Sequence, residues 1–565
     1  MLMVLFSWIV IGSAAYIFGR TIIDHAYHES AQTMRKLDIY IMAGIIFLNF
    51  YAQVFSLFYK VAGVACTILG TIGIIIAVCS FRQWRKQGNY FLYFSFLKEH
   101  PFRVAGMLLC IGMTMVYTVQ APGHYDTGLY HAQAIRWIEE YGVVPGLGNL
   151  HMRLAYNSAF MSLQALFSLE WLMGRSLHTL NGFFALFCIS YAVMTIRVRK
   201  GKGCGWRTSD LLKCAMVIYI VLLRSAISSP ATDLWAMLLI LYICAKWCEF
   251  AEDGEKSAAP WCFVCLVGFY AVTVKLSAGP IILLTIYPLY LLIKDKDIKQ
   301  IAGNIVAAVM IVLPWLVRNV IISGYLIYPY AGIDLFHVDW KMDRSVLFRD
   351  SLDIKRFGRG TNRLPEYDDA VFRWIPVWFK RQGIPYKIII LAGSICAIVL
   401  LYQLWRYIRK KQVREAVFAA TLVISLVFWF MTAPLIRYGG VYFWIMIALV
   451  AGKAAERYGR ETGTRIADVI MGLIMLLFLG TYMDGIVFLA DMDPIHWVKQ
   501  MHYTSWPSTQ YSIGDLAVWA PDEGDQVGYF AFPAVTDKGQ VEKVGLRGES
   551  FQDGFYWITK TEENK

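Results

Sequence analysis

The residues best equipped for chemistry fall in one polar stretch. From Ala121 the chain reads APGHYDTGLYHAQAIRWIEEYGVVPGLGNLHMR. Asp126 stands a few residues past the end of an apolar run, among His124, Tyr125 and His131. A carboxylate at the edge of a bilayer is costly unless it is paired or used. One use is as a general base, taking the proton of a hydroxyl or amine as that group attacks a sugar carbon. The plainer alternative is a helix cap, because a helical stretch opens near Thr127. His124, His131 and His151 could orient Asp126, bind phosphate or hydrogen-bond a sugar. Ordinary polar loop histidines are the simpler reading. No metal site is assigned, since ligation needs two or three such rings to converge and their spacing does not show that. Asn149, Arg153 and Asn157 are further candidates for sugar or phosphate contact.

Three cations are the natural partners of an anionic substrate. Arg318 lies in PWLVRN from Pro314, next to Asn319, and Arg437 lies in APLIRY from Ala433, next to Tyr438. A guanidinium fork binds phosphate bidentately. Lys275 ends VTVK between two short apolar runs. The alternative for all three is snorkelling toward headgroups. Asp233, in SSPATD from Ser228, could face the same cavity; a place in the first turn of a helix is the simpler reading.

The elements that must hold these groups are membrane helices. Of 565 residues 58% are hydrophobic and 17% charged, and mean hydropathy is +0.49. Soluble domains carry about 25% charged residues. The apolar residues come in blocks long enough to span a hydrocarbon core as helices. The blocks are 2–19, 38–57, 61–80, 103–121, 177–196, 211–227, 231–248, 261–274, 277–293, 301–317, 386–405, 416–431, 440–454 and 466–490. This predicts an all-α polytopic membrane protein of about fourteen (12–14) transmembrane helices. Residues 2–19 lack a basic leader and a clear cleavage site, so they read as the first span. The eleven cysteines lie in apolar runs or in the basic loop after Val198 and read as small buried hydrophobes, with no metal or disulfide framework.

Charge orients the spans. Residues 81–103 hold five basic and one acidic residue, 197–213 six and one, 406–415 five and one, and 453–465 four and two. Basic loops belong in the cytoplasm, although 249–259 is acidic and dissents. All four basic loops fall on one side only if 156–172 is not a span; its Ser158, Ser162, Gln164 and Ser168 suit a helix lying at the membrane surface. Residues 122–176, 318–385 and 491–565 then share the outer face, with both termini outside. The last stretch, with six basic and twelve acidic residues, suits that location. The net charge of +12 is thus mostly cytoplasmic loop charge and not a nucleic-acid footprint. The chain divides into N-terminal helices with a cytoplasmic loop (1–100), a transmembrane core (101–490) and a C-terminal extracytoplasmic segment (491–565). Within 318–385 the aromatic stretch 374–379 reads as a lid or a membrane anchor. In the last segment, 516–519, 527–532 and 554–558 read as short strands between turns.

The order and sidedness of these motifs resemble the GT-C superfamily of multispanning glycosyltransferases over roughly residues 103–490. The stretch YDTGLYH…VPGLGNLH from Tyr125 is similar to the first outer loop of a poorly characterised bacterial branch. The segments around Arg318, Arg437 and Lys275 resemble the family's PW..RN, aP..RY and..tK segments. The resemblance implies a polyprenyl-phosphate-linked sugar donor, an extracytoplasmic glycan, lipid or protein acceptor, and Asp126 as catalytic base. It also implies an active site on the outer face of the plasma (inner) membrane. Arg318, Arg437 and Lys275 are then expected to bind the donor phosphate. His124, Tyr125, His131, Asn149, His151, Arg153, Asn157, Asn319 and Tyr438 are expected substrate contacts. Some members pair two acidic residues around a divalent metal. With no second acidic residue beside Asp126, no cofactor is expected, a divalent metal being the less favoured alternative. The expected activity is an inverting hexosyl or pentosyl transfer. The alternatives are a transporter or flippase, or a polymerase or ligase, of lipid-linked glycans. Absence of a convincing internal repeat weighs against a transporter.

Overall fold

A computed structural model describes residues 1–27, 31–86, 101–196, 206–368, 371–457, 477 and 480–558. The chain is mostly helical, and eight of the described helices are long and apolar enough to cross a membrane: Leu2–Ala26, Leu37–Ser56, Gly63–Trp84, Thr232–Glu252, Leu276–Asp295, Ile298–Ser323, Ile384–Arg409 and Val413–Thr432. Five further runs expected to span form helices outside that set of eight, at Pro101–Thr118, Leu180–Thr195, Thr208–Leu222, Ala258–Val274 and Val441–Arg457. Of the run predicted at 466–490, residues 480–490 are helical, and the first half lies outside the described residues apart from residue 477. Leu276–Thr285 is a 3-10 stretch with Pro280 inside it, continuing as α-helix Ile286–Lys294. Proline removes a backbone donor, so the tighter winding fits its position.

Helix Thr232–Glu252 is the axis of the bundle: every residue from Thr232 to Phe250 is buried. Helices Leu2–Ala26 and Leu37–Ser56 pack at backbone contact. A Cβ on Gly19 would come within 1.8 Å of Tyr40 O, and one on Gly44 within 1.8 Å of Ala15 O. Small residues allow this approach, which is how apolar helices gain dispersion contact where lipid supplies no hydrophobic drive. At one end of the bundle charges are clamped inside the protein, with Lys246 Nζ 2.8 Å from Asp38 and 2.9 Å from Glu249.

The opposite end carries the polar segments. Met1 N donates to His496 O at 2.7 Å, and Met3 N to Val498 O at 3.0 Å, so the N-terminus and the start of the C-terminal segment share this end. The expected surface helix at 156–172 is corrected here. Its longer helical part, Ala159–Leu166, is too short to span a membrane, but all eight residues are buried; the short turn of helix Glu170–Met173 at its end has none buried. Asn49 Nδ2 donates to Ala159 O, Ser158 Oγ to Val274 O and Gln164 Nε2 to Leu177 O. Its serines and glutamine therefore face protein, not headgroups. The aromatic stretch Ile375–Arg381 packs on the protein: Trp378 Nε1 donates to Pro434 O at 2.6 Å, and Trp374 and Trp378 lie against Phe430.

The C-terminal segment contains two small antiparallel pairs. β1 (Ser508–Ile513) pairs with β2 (Leu516–Pro521), Ser508 opposite Pro521. β3 (Val544–Leu546) pairs with β4 (Phe555–Trp557), Val544 opposite Trp557. The strand expected at 527–532 is absent; its backbone is spent elsewhere, with Val527 N and Gly528 N donating to Gly128 O. A core of its own, including Trp137, Leu147, Val518, Val544 and Phe555, ties this segment to residues 137–155.

Candidate functional site

Asp126 is placed by the end of one helix and the start of an unusual turn. Helix Pro101–Thr118 stops before Pro122-Gly123, and His124 N is caught by Ser229 Oγ at 2.9 Å. The chain then winds as a wide π-turn, Thr127–His131, before α-helix Ala132–Glu140. Asp126 precedes that turn, yet its side chain makes no capping hydrogen bond to it. The carboxylate instead meets Arg437, with Nη2 3.0 Å from Oδ2 and 3.3 Å from Oδ1.

Arg437 sits on the turn Ile436–Gly439 between two apolar helices. It also lies 3.4 Å from Asp233 Oδ2 through Nε, 3.2 Å from His124 Nε2 through Nη1, and donates to Tyr438 OH at 3.2 Å. Asp233 does occupy the first turn of helix Thr232–Glu252, and from there it also reaches the site. Its Oδ1 accepts from Lys275 Nζ. Lys275 is the extended residue that ends helix Ala258–Val274, and its ammonium stands 3.8 Å over the Tyr438 ring. Two carboxylates and two cations from four separated pieces of chain thus form one group.

Burial, more than any charge, holds the His124 ring below its ordinary value; Asp233 and Asp126 pull it back up. Burial drives His131 well below. Both shifts favour the neutral imidazole. Burial alone would lower the Arg437 guanidinium, but Tyr438, Asp126 and Asp233 outweigh it and push it above its ordinary value. Three buried atoms here make no hydrogen bond within the protein, both His131 nitrogens and Thr127 Oγ1, whereas Asp233 Oδ2 and Arg437 Nε meet only as an ion pair at 3.4 Å. Such atoms are rare in native interiors and mark sites where another group completes the network.

The other expected contacts divide into two sets. Arg318 does not touch Asp126 or Arg437. It is 2% exposed, with Nε on Asn157 Oδ1 at 3.0 Å and Nη1 on Ser56 Oγ at 2.5 Å. No carboxylate lies within ion-pair distance of it among the described residues. Asn157 also donates to Asn319 Oδ1 at 2.8 Å, and its chain neighbour Ser158 donates through Oγ to Val274 O, the residue before Lys275. Asn149 and His151 are spent on local structure: Asn149 Nδ2 holds Trp340 O and Phe555 O, and His151 Nδ1 accepts from Arg153 N. Asn319 Nδ2 donates to Leu326 O. Tyr125 OH and Arg153 both engage Asp525 of the C-terminal segment.

Asp233 is the residue whose place in the site the sequence left undecided; its only signal was a Thr-Asp pair closing a short polar turn. It corrects the expectation that Asp126 has no acidic neighbour. His124, Asp126 and Asp233 present ligand atoms within 4.8 Å of one another, a spacing that could hold a divalent cation. Arg437 and Lys275 already neutralise both carboxylates, so such an ion would have to displace them.

No curated protein and no solved structure matches this chain. Residues 1–444 match a family described as a domain of unknown function, DUF8201. That match takes in Asp126, Asp233, Lys275, Arg318 and Arg437, and with 444 of 565 residues inside it the chain belongs to the DUF8201 family.

Proposed function

We propose that this protein is a membrane glycosyltransferase. In this reading it crosses the plasma membrane about fourteen times. It moves a sugar from a polyprenyl-phosphate donor to an acceptor on the extracytoplasmic face, where both termini and the Asp126 site lie. The observation that carries the proposal is the Asp126–Arg437 pair. A carboxylate suited to take a proton is held against a guanidinium suited to take a phosphate, at one end of an apolar bundle.

In the reaction, Asp126 takes the proton of the acceptor hydroxyl or amine. The freed lone pair attacks the anomeric carbon, and the bond from that carbon to the phosphate oxygen breaks with inversion. The polyprenyl phosphate leaves with the bonding pair. Arg437 and Lys275 stabilise the charge that develops on it, and fixed charges of this kind need no reorganisation at the moment of reaction. Arg318 supports the reading from a second direction, because a buried guanidinium held only by neutral oxygens favours an anion nearby. A phosphate that draws Arg437 toward itself also loosens its hold on Asp126, so donor binding frees the base.

The test is product analysis with purified protein and a panel of polyprenyl-phosphate sugars. The wild type is expected to consume one of them, and Asp126→Asn to bind that donor but turn it over at least about a hundredfold more slowly. Wild-type transfer by Asp126→Asn would refute the mechanism.

A further inference from the structure

A cavity of about 410 Å3 opens beside Asp126, between the first polar loop and the C-terminal segment. Small-molecule sites run from about 300 to 1,000 Å3. One wall is His124, Tyr125 and Thr127; the other is Tyr503, Trp506 and Gln526. The second wall is firmly seated. Val527 N and Gly528 N donate to Gly128 O at 2.9 and 2.8 Å, and Gln133 Nε2 donates to Gly528 O and Ala531 O at 2.7 and 2.8 Å. It comes from chain beyond residue 444, where the family match ends.

The chemistry of the lining is selective. Three aromatic rings face the space together with neutral hydrogen-bonding groups, and no Asp, Glu, Lys or Arg lines it among the described residues. Tyr125 and Trp506 are 54% and 39% exposed, so their faces are open to a ligand. The cations that suit a phosphate, Arg437 and Lys275, are not part of this lining. An anion would find no countercharge here. A pyranose ring would: its C–H face lies on an aromatic ring while its hydroxyls meet amide, hydroxyl and imidazole groups.

We infer that this cavity, lined by the residues on either side of Asp126, is a subsite for a neutral saccharide, the acceptor of the transfer. This rests on the transferase reading for the word acceptor, but binding itself does not.

The experiment uses full-length protein in lipid nanodiscs without donor. It is titrated with cellobiose, lactose, maltose and mannobiose, followed by saturation-transfer NMR and tryptophan quenching. At least one disaccharide is expected to bind wild type and Asp126→Asn alike. Trp506→Ala should weaken that binding about tenfold or more. Gln526→Leu should weaken it less, and it serves as the second variant if Trp506→Ala melts early. Absence of binding by all four sugars, or equal binding by both variants and wild type, would overturn the subsite. Binding that depends on Trp506 with no transfer from any donor would sink the transferase reading and leave the subsite standing. Transfer to a saccharide unaffected by both substitutions would sink the subsite alone.

Discussion

Arg437 Nη2 lies 3.0 Å from Asp126 Oδ2, although the two residues stand 311 positions apart in the chain. The same guanidinium reaches Asp233 Oδ2 at 3.4 Å, and Asp233 holds Lys275. Each carboxylate therefore has a cation and each cation a carboxylate. Asp126 shares its cation with Asp233, while Asp233 has Lys275 besides.

The two carboxylates should separate in mutants. Asp126→Asn removes the proton acceptor and is expected to lower kcat by about 10²–10⁴, the usual range for a general base. Asp233→Asn leaves the base in place but releases Lys275 and loosens Arg437. Its expected cost is smaller, with a rise in donor KM. Steady-state rates with a fixed acceptor distinguish the two, and equal losses in both would argue that neither is specifically the base.

Arg318→Gln keeps polar contact with Asn157 and Ser56 while deleting the charge. Because its present partners are neutral, the fold should hold and the melting temperature change little. Donor KM should rise about tenfold or more, the scale of a lost charge-assisted contact in a buried site. Arg437→Gln should instead lower both kcat and stability, since it leaves Asp126 and Asp233 with less countercharge. Detergent melts beside donor titrations test the contrast.

Stability should depend on pH through Glu139. Burial, above all, lifts this carboxyl from 4.5 to about 7, where Tyr529 OH bonds Oε2 at 2.7 Å and Ser176 Oγ bonds Oε1 at 2.8 Å. The folded chain thus holds a proton that the unfolded chain releases. The stabilisation is complete below the unfolded value of 4.5 and is lost as pH rises through about 7. The loss is on the order of 3–4 kcal/mol. Melting temperature should fall between pH 5 and pH 8.5, and Glu139→Gln should flatten that fall; an unchanged slope in the variant would exclude Glu139 as the source.

Gly44→Ala should be among the most damaging single-methyl changes. The added carbon would sit 1.8 Å from Ala15 O, a backbone atom that cannot swing aside. Overpacking commonly costs about 1–3 kcal/mol. Gly70→Ala on the neighbouring helix, where a Cβ meets nothing within 4 Å, is the control and should melt as wild type. The same comparison reads out whether the first two helices must touch.

The sequence by itself determined the membrane character, the positions of most helices and the polar segments beyond them. Those properties are local: a run of apolar residues long enough for a bilayer is helical wherever it lies, because lipid offers its backbone no other partner. Asp126, Lys275 and Arg437 were legible as chemistry for a similar reason, as polar groups at the ends of such runs. Tertiary structure alone decided which of them meet. It turned Asp233 from a first-turn residue into the second carboxylate, buried the helix Ala159–Leu166 within the protein, and set Arg318 beside Asn157 instead of Asp126. It also brought Trp506 and Gln526 against the turn after Asp126. These outcomes depend on how helices far apart in sequence pack and on which buried charges must find partners, and hydropathy along the chain carries neither.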